Sequence, residues 1–383
     1  MIPARHLPSP EARRRFGDRV DRLGTLFLEG DPLADEAWDA LRKMHPSERE
    51  MLLSRIHLEP PRDVPQAFRA LSEQLSHVPF WVDFERAERG GRALLGRGPL
   101  SGHVLALGSL VRSFCSPSGN KPLVATGQLE RDTVRRTYQT GRYLQQVCSS
   151  GAMQPGAPGF VSTVRVRLLH AQTRARLLAG GRWRTELHGV PISQPDMAGT
   201  LLLFSLYLAE GLRRLGSPLS QRDEEDLVHL WRYIGWVMGV KEELLCSSVK
   251  EGRDLWALNE LTEGLPDDDS RRLARALIEN LYGAASNGLP RAGLGSAPWY
   301  ALSAALIGDD HAQNLGFPRT SWRHVTPAVR TLLRPTSRIL WRIPGVQRVS
   351  HELGIAYWNW SITVGLSLAA GHPEVVVEER ASA

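Results

Sequence analysis

His170 lies in RVRLLHAQTR, residues 165–174, an apolar segment edged with arginines. Arg167 stands three positions before it and Arg174 four after, so the three side chains share one face of a helix. A neutral imidazole in such company has two uses. It can be a packed histidine bonded to a backbone carbonyl, with the arginines in salt bridges. It can instead ligate the iron of a planar, dianionic cofactor such as a haem. Arginine suits the carboxylates of such a group because it stays charged and offers a fixed fork of donors. Residue type and spacing leave both uses open.

A second face occurs upstream in QLERDTVRRTYQTGRYLQQVC, residues 128–148. Arg136, Gln139 and Thr140 fall at i, i+3 and i+4, where they could donate hydrogen bonds to a bound oxygen or simply form a solvated helix surface. Other chemistries drop out. CxxCH, HExxH, the P-loop, GxGxxG after a strand and GxSxG are all absent. Asp267-Asp268-Asp269 before Ser270 could grip a metal, but the position ahead of a helix favours capping of free backbone N–H groups. Asp309-Asp310-His311 reads the same way.

The elements that must hold these residues are helical. Apolar positions recur at helical spacing over 10–30, 33–55 and 63–76, and GHVLALGSLVRSFC (102–115) is a long apolar run. SPSGNKP at 116–122 breaks the chain, and a helix is expected over 128–148. The His170 helix should run over about 160–179 and stop at Gly180-Gly181. Further helices are expected at 197–215, 221–246 and 270–286, with a β-branched run only at Val375 to Val377. The expectation is an all-α chain forming one large domain: N-terminal helices over 1–77, a core over 78–250 and C-terminal helices over 251–383.

Bulk properties narrow the partners. The 383 residues carry 47 Lys+Arg against 41 Asp+Glu, a net charge of +6 that is spread out rather than gathered. Nucleic-acid binding wants a concentrated basic stripe, so it is not expected. The Arg13–Arg15 cluster has Glu11, Asp18 and Asp21 beside it. Three cysteines without CxxC spacing argue against a disulfide framework or a structural zinc site. Residues 353–371 are uncharged and long enough to span a membrane, yet they hold Asn359, Ser361, Thr363, Ser367 and three glycines, so a buried terminal helix is the expectation. The start MIPARHLPSPEARRRF lacks the apolar core of a secretory signal, so a cytoplasmic setting is expected.

From Pro79 to Leu245 the sequence resembles the latex clearing protein (rubber oxygenase) group and the wider oxygenase family related to the mycophenolate-pathway oxygenase. The resemblance rests on PFWVD (79–83), GSL (108–110), LVATG (123–127), RRTYQT (135–140), RLLHAQTR (167–174), GVPISQPDMAGTLLLF (189–204) and WRYIGWVMGVKEELL (231–245), in family order. It implies an all-helical fold with a globin-like core and non-covalent haem b. His170 falls on the iron ligand, Arg174 on the arginine of the same motif, and Arg136 and Thr140 on a distal pair. Thr200 and Arg167 are further positions expected near the haem.

Two departures bear on activity. Rubber-cleaving members carry a lysine where this chain has Gln139, and a glutamate general base near the place of Asn120. No carboxylate occurs between Glu88 and Glu130, and an amide cannot take a proton at neutral pH. The resemblance therefore implies a haem-dependent oxygenase or peroxygenase acting on a small apolar, isoprenoid-like or aromatic substrate with O2 or peroxide. A non-catalytic haem sensor or carrier, and a family member that no longer binds haem, remain as alternatives.

Overall fold

A computed structural model describes residues 2–56, 64–126, 132–282 and 295–370, the last apart from 325, 329, 332–333, 336–342 and 344. Every regular element among these residues is helical. The order begins α1 (Pro10–Phe16), α2 (Arg19–Leu26), α3 (Pro32–Leu41), α4 (Pro46–Ser54), α5 (Gln66–Ser76) and α6 (Phe84–Leu95). α7 (Pro99–His103), a π-helical stretch (Val104–Leu110) and α8 (Val111–Ser113) follow, then α9 (Lys121–Thr126), α10 (Thr133–Cys148) and α11 (Pro158–Ala179). The remainder is α12 (Thr185–His188), α13 (Gln194–Phe204), α14 (Leu206–Arg214), α15 (Gln221–Val237), α16 (Val249–Glu260), α17 (Asp268–Tyr282), α18 (Ala297–Ile307), α19 (Asp309–Asn314) and α20 (Val346–Ala369).

Several expected helices are subdivided. The 10–30 pattern breaks at Gly17, whose φ of +53° suits no other residue well. The apolar 102–115 run winds largely as a π-helix, and Ser303 Oγ donates to its Leu107 carbonyl at 2.7 Å. The helix expected from 197 starts at Gln194, because Ser193 and Asp196 form a capping box there. It ends at Phe204, and Ser205 Oγ turns back to Leu201 O at 2.7 Å before α14 begins. Lys121, expected in a loop, opens α9, while α16 and α18 were not evident in the pattern. The Val375–Val377 run lies outside the described residues.

The chain forms two compact units that interleave in sequence. The first comprises 1–91, 146–206 and 223–264; the second comprises 92–145, 207–222 and 265–383. In the first, α3 packs between α5 and α11. Ala34, Ala37 and Ala171 are fully buried and let the backbones approach closely, while Leu41, Phe68, Leu71, Leu75, Phe160 and Val164 fill the space around them. Burying each large side chain stabilises the unit by about 1.5–3 kcal/mol. In the second, Val104, Leu107, Val111, Leu273, Ile278 and Leu306 form the core.

α20 belongs to the second unit. Trp358, Ile362 and Val364 are buried, whereas Leu353 and Trp360 are exposed. No helix among the described residues is long and apolar enough to cross a membrane.

Candidate functional site

α11 positions the first group of residues. Pro158 sits in its first turn, where a missing N–H costs nothing, and Gly159 lets it start against the backbone of Gln146, Val147 and Ala152. Arg167, Leu168, Ala171 and Arg174 point into the first unit, and the His170 ring lies at the edge of that face, partly exposed. Its Nδ1 is nonetheless fully buried and without a hydrogen-bond partner. Burial, with a smaller contribution from the Arg174 charge and against the pull of Asp31, holds the imidazole pKa down at about 4. The ring is therefore neutral at physiological pH, with a lone pair available.

Both arginines have protein partners. Arg167, 2% exposed, donates from Nε to Asp31 Oδ2 (2.6 Å) and from Nη2 to Asp31 Oδ1 (3.0 Å). Its Nη1 reaches Gln74 Oε1 at 2.7 Å and Val237 O at 3.0 Å. Arg174 donates from Nε to the Asp35 carboxylate (2.9 Å) and from Nη1 to the carbonyls of Pro191 and Ile192 (3.0 and 2.7 Å). Its Nη2 is buried with no partner. Burial raises the Asp35 carboxyl above the usual range, with Arg174 only partly opposing it.

Sequence reasoning missed the residues that fix these arginines. Asp31 caps α3 through Ala34 N (3.3 Å) and Asp35 lies one turn on, so two carboxylates on α3 meet two arginines on α11. The signal was present in GDPLADE, a capping Asp-Pro followed by a second aspartate at i+4. Gln194, 1% exposed, joins the surrounding loops: Nε2 donates to Gly30 O (2.7 Å) and Gly239 O (3.1 Å), and Oε1 accepts from Lys241 N (2.8 Å). Gly30 and Gly239 are small because arginine lies against them. A Cβ on Gly239 would fall 2.3 Å from Asp31 Oδ2 and 2.7 Å from Arg167, at a φ of +81°. Gly239→Ala is therefore expected to destabilise the protein by more than about 2 kcal/mol, seen as a lower midpoint in thermal unfolding. Thr200, on α13, is exposed, and its hydroxyl donates to Asp196 O at 2.9 Å.

The second group belongs to the second unit. On α10, Arg136 is partly buried, which lowers its pKa against the opposing charge of Asp132. Thr140 Oγ1 donates to Arg136 O at 2.9 Å, leaving its lone pairs free, and Gln139 is exposed. Asn120 is 2% exposed, and its Nδ2 donates to Phe114 O (2.8 Å) and Ser270 Oγ (3.1 Å), tying the 116–120 loop to the head of α17. Asp267 caps that helix by accepting from Ser270 N and Oγ, and Lys121 pairs with both Asp267 and Asp269. The acidic triplet is thus a cap and ion-pair site. His170, Arg167, Arg174 and Thr200 fall in the first unit; Arg136, Gln139 and Thr140 fall in the second.

A family model described as "ER-bound oxygenase mpaB/B'/Rubber oxygenase, catalytic domain" matches residues 98–339, well over half of the chain. Among solved structures, the chain is similar to latex clearing protein in its closed state, with a TM-score of 0.65 and 19% identity. That match covers 87% of this chain and 91% of the other. No curated protein matches.

Proposed function

Because this chain belongs to the family of mpaB-type and rubber oxygenases, we propose that it is an oxygenase-like protein that holds haem b through His170 and acts on an apolar substrate. One observation carries the reading. His170 Nδ1 and Arg174 Nη2 are both buried without partners, one helical turn apart. Unpaired buried polar groups are costly. A ligand with a Lewis-acidic centre and an anionic edge would satisfy a neutral imidazole and a guanidinium N–H together.

The residues divide the work as follows. His170 would be the iron ligand, neutral without needing to lose a proton. Neither ring nitrogen has a hydrogen-bond acceptor among the described residues, so orientation of the ring would rest on its place in α11. Arg174 would offer Nη2 to a propionate, and Arg167, paired with Asp31, would hold α11 in place. Arg136 and Gln139 would donate hydrogen bonds to a bound oxygen, whereas the one Thr140 hydroxyl proton is already given to Arg136 O, so Thr140 would only accept. Thr200 is a further haem-contact candidate. When bound, the haem supplies activation of O2 or peroxide. Free Cys115, Cys148 and Cys246 suit a reducing, cytoplasmic setting.

A carrier or sensor role is the second reading, favoured by Asn120. Its amide is committed to Phe114 and Ser270 and cannot act as a base. The test is a titration of the purified protein with haem b. A Soret band saturating at one haem per chain is the expected result, and a chain that stays colourless overturns the haem reading. Oxygen uptake by the loaded, reduced protein that rises with an isoprenoid or aromatic substrate supports the oxygenase; uptake unaffected by every substrate supports the carrier.

A further inference from the structure

Among the described residues, one non-glycine residue sits on a backbone of positive φ: Ile192, at +54°. Branching at Cβ makes that conformation costly for isoleucine, so it persists only where the surroundings fix it. The strained residue lies against the candidate site. The carbonyls of Pro191 and Ile192 accept from Arg174 Nη1, at 3.0 and 2.7 Å. Relaxing Ile192 to a negative φ would rotate the adjoining peptide planes and turn those carbonyls away from the guanidinium.

The loop is held from both ends. Upstream, Val190 N donates to Phe27 O at 2.9 Å, and a Cβ on Gly189 would fall 2.3 Å from that same oxygen. Downstream, Gln194 N donates to Glu29 O at 2.9 Å, and Ser193 closes onto Asp196 Oδ2 through N (3.0 Å) and Oγ (2.7 Å). Asp196 is in turn gripped by Arg5, whose Nη2 reaches Oδ1 at 2.8 Å and Nη1 reaches Oδ2 at 3.2 Å. Arg5 Nη1 also donates to His188 O at 3.3 Å, so one guanidinium spans the loop from the residue before it to the cap after it. The Arg5 side chain is 5% exposed and lies over the Phe27 ring at 4.2 Å. Four backbone hydrogen bonds of 2.8–2.9 Å stitch its segment in place: Ala4 N to Glu186 O, Arg5 N to Leu187 O, Leu7 N to Thr262 O and Ser9 N to Leu261 O.

We infer that Arg5 is a positioning residue for the candidate site. By bridging His188 and Asp196 it locks Ile192 in the strained form, and the loop so held aims Arg174 and leaves Nη2 for an anionic ligand. The ligand half of this statement rests on the proposed haem reading; the positioning half does not.

Phenylglyoxal modification of the full haem-free chain, read by peptide mass spectrometry, tests the positioning. Arg174 and Arg167 are 3% and 2% exposed on one helix, and Asp31 rather than the loop holds Arg167, which makes it the internal control. In Arg5→Gln, Arg174 is expected to react about tenfold faster than in the parent while Arg167 stays protected. Arg5→Lys, which keeps the charge but not the two-point grip, falls between the two. Adding Ile192→Gly to Arg5→Gln restores much of the protection, because glycine holds a positive φ without help. Titration with haem b and with its dimethyl ester tests the ligand half: Arg5→Gln weakens haem b several-fold more than the ester, whose propionates carry no charge. A parent chain that takes up neither overturns the ligand half together with the haem reading, and the labelling still decides the positioning. Equal weakening of haem b and ester overturns the ligand half alone. Unchanged labelling of Arg174 in Arg5→Gln, equal labelling of Arg167 and Arg174, or no rescue by Ile192→Gly overturns the positioning.

Discussion

His170→Ala is expected to take up no haem b while keeping its helical content, and to lose less stability in acid than the parent chain. The first outcome follows from the proposed ligand role, since alanine leaves nothing to bind iron. The fold should survive because the ring lies at the edge of the buried face of α11 and forms no hydrogen bond among the described residues. The second outcome follows from the imidazole's pKa of about 4 in the haem-free fold. The unfolded chain binds a proton near pH 6.5, whereas the folded chain resists it until about pH 4. Stability is therefore intact above about pH 6.5 and falls through that window, by at most about 3 kcal/mol at its lower end. His6 and His229 are also depressed by burial and push in the same direction. The decisive quantity is thus the difference between the two chains, read from urea midpoints at pH 7 and pH 4.5. An equal acid loss in both would show that the His170 ring is open to water. A Soret band of parent intensity in the variant would remove His170 as the ligand.

Asp31→Ala should cost more than any other single substitution around α11. Asp31 and Arg167 are 3% and 2% exposed and form a two-point pair. Removing one member strands a buried charge, which typically costs about 3–5 kcal/mol. Loss of the cap on α3 adds about 1 kcal/mol. Against a total stability on the order of 5–15 kcal/mol, such a variant is close to unfolded at physiological temperature. Replacing both partners with apolar residues, as in Asp31→Leu with Arg167→Met, should recover much of the loss, because no lone charge then remains. Chemical denaturation of the single and double variants measures this directly. A single-variant cost below about 1 kcal/mol would mean that water reaches the pair.

The helical class of the fold was legible because the apolar residues recur at helical spacing through several segments, α5 and α10 among them. Boundaries were less so. The π-helical stretch from Val104 reads as a plain apolar helix, since its altered winding shows only in contacts such as Ser303 with Leu107, nearly two hundred residues away. α18 escaped notice because APWYALSAALI is apolar on all sides and lacks the one-faced pattern of a surface helix. At the candidate site, the grouping of His170 with Arg167 and Arg174 followed from i, i+3 and i+4 arithmetic. Their partners did not, because Asp31 and Asp35 lie some 140 positions upstream and no local pattern records which distant carboxylate a buried arginine will choose.

The two carboxylates on α3 also bear on where this molecule can be cut. The region matching the family model begins at residue 98, whereas Asp31, Asp35 and Gln74 all precede it. A fragment trimmed to 98–339 would keep the His170 helix but strand its two arginines without counter-ions. The stretch that carries the family's signature is therefore not an autonomous module. The first ninety residues, which that signature ignores, are the splint against which the candidate ligand helix is set.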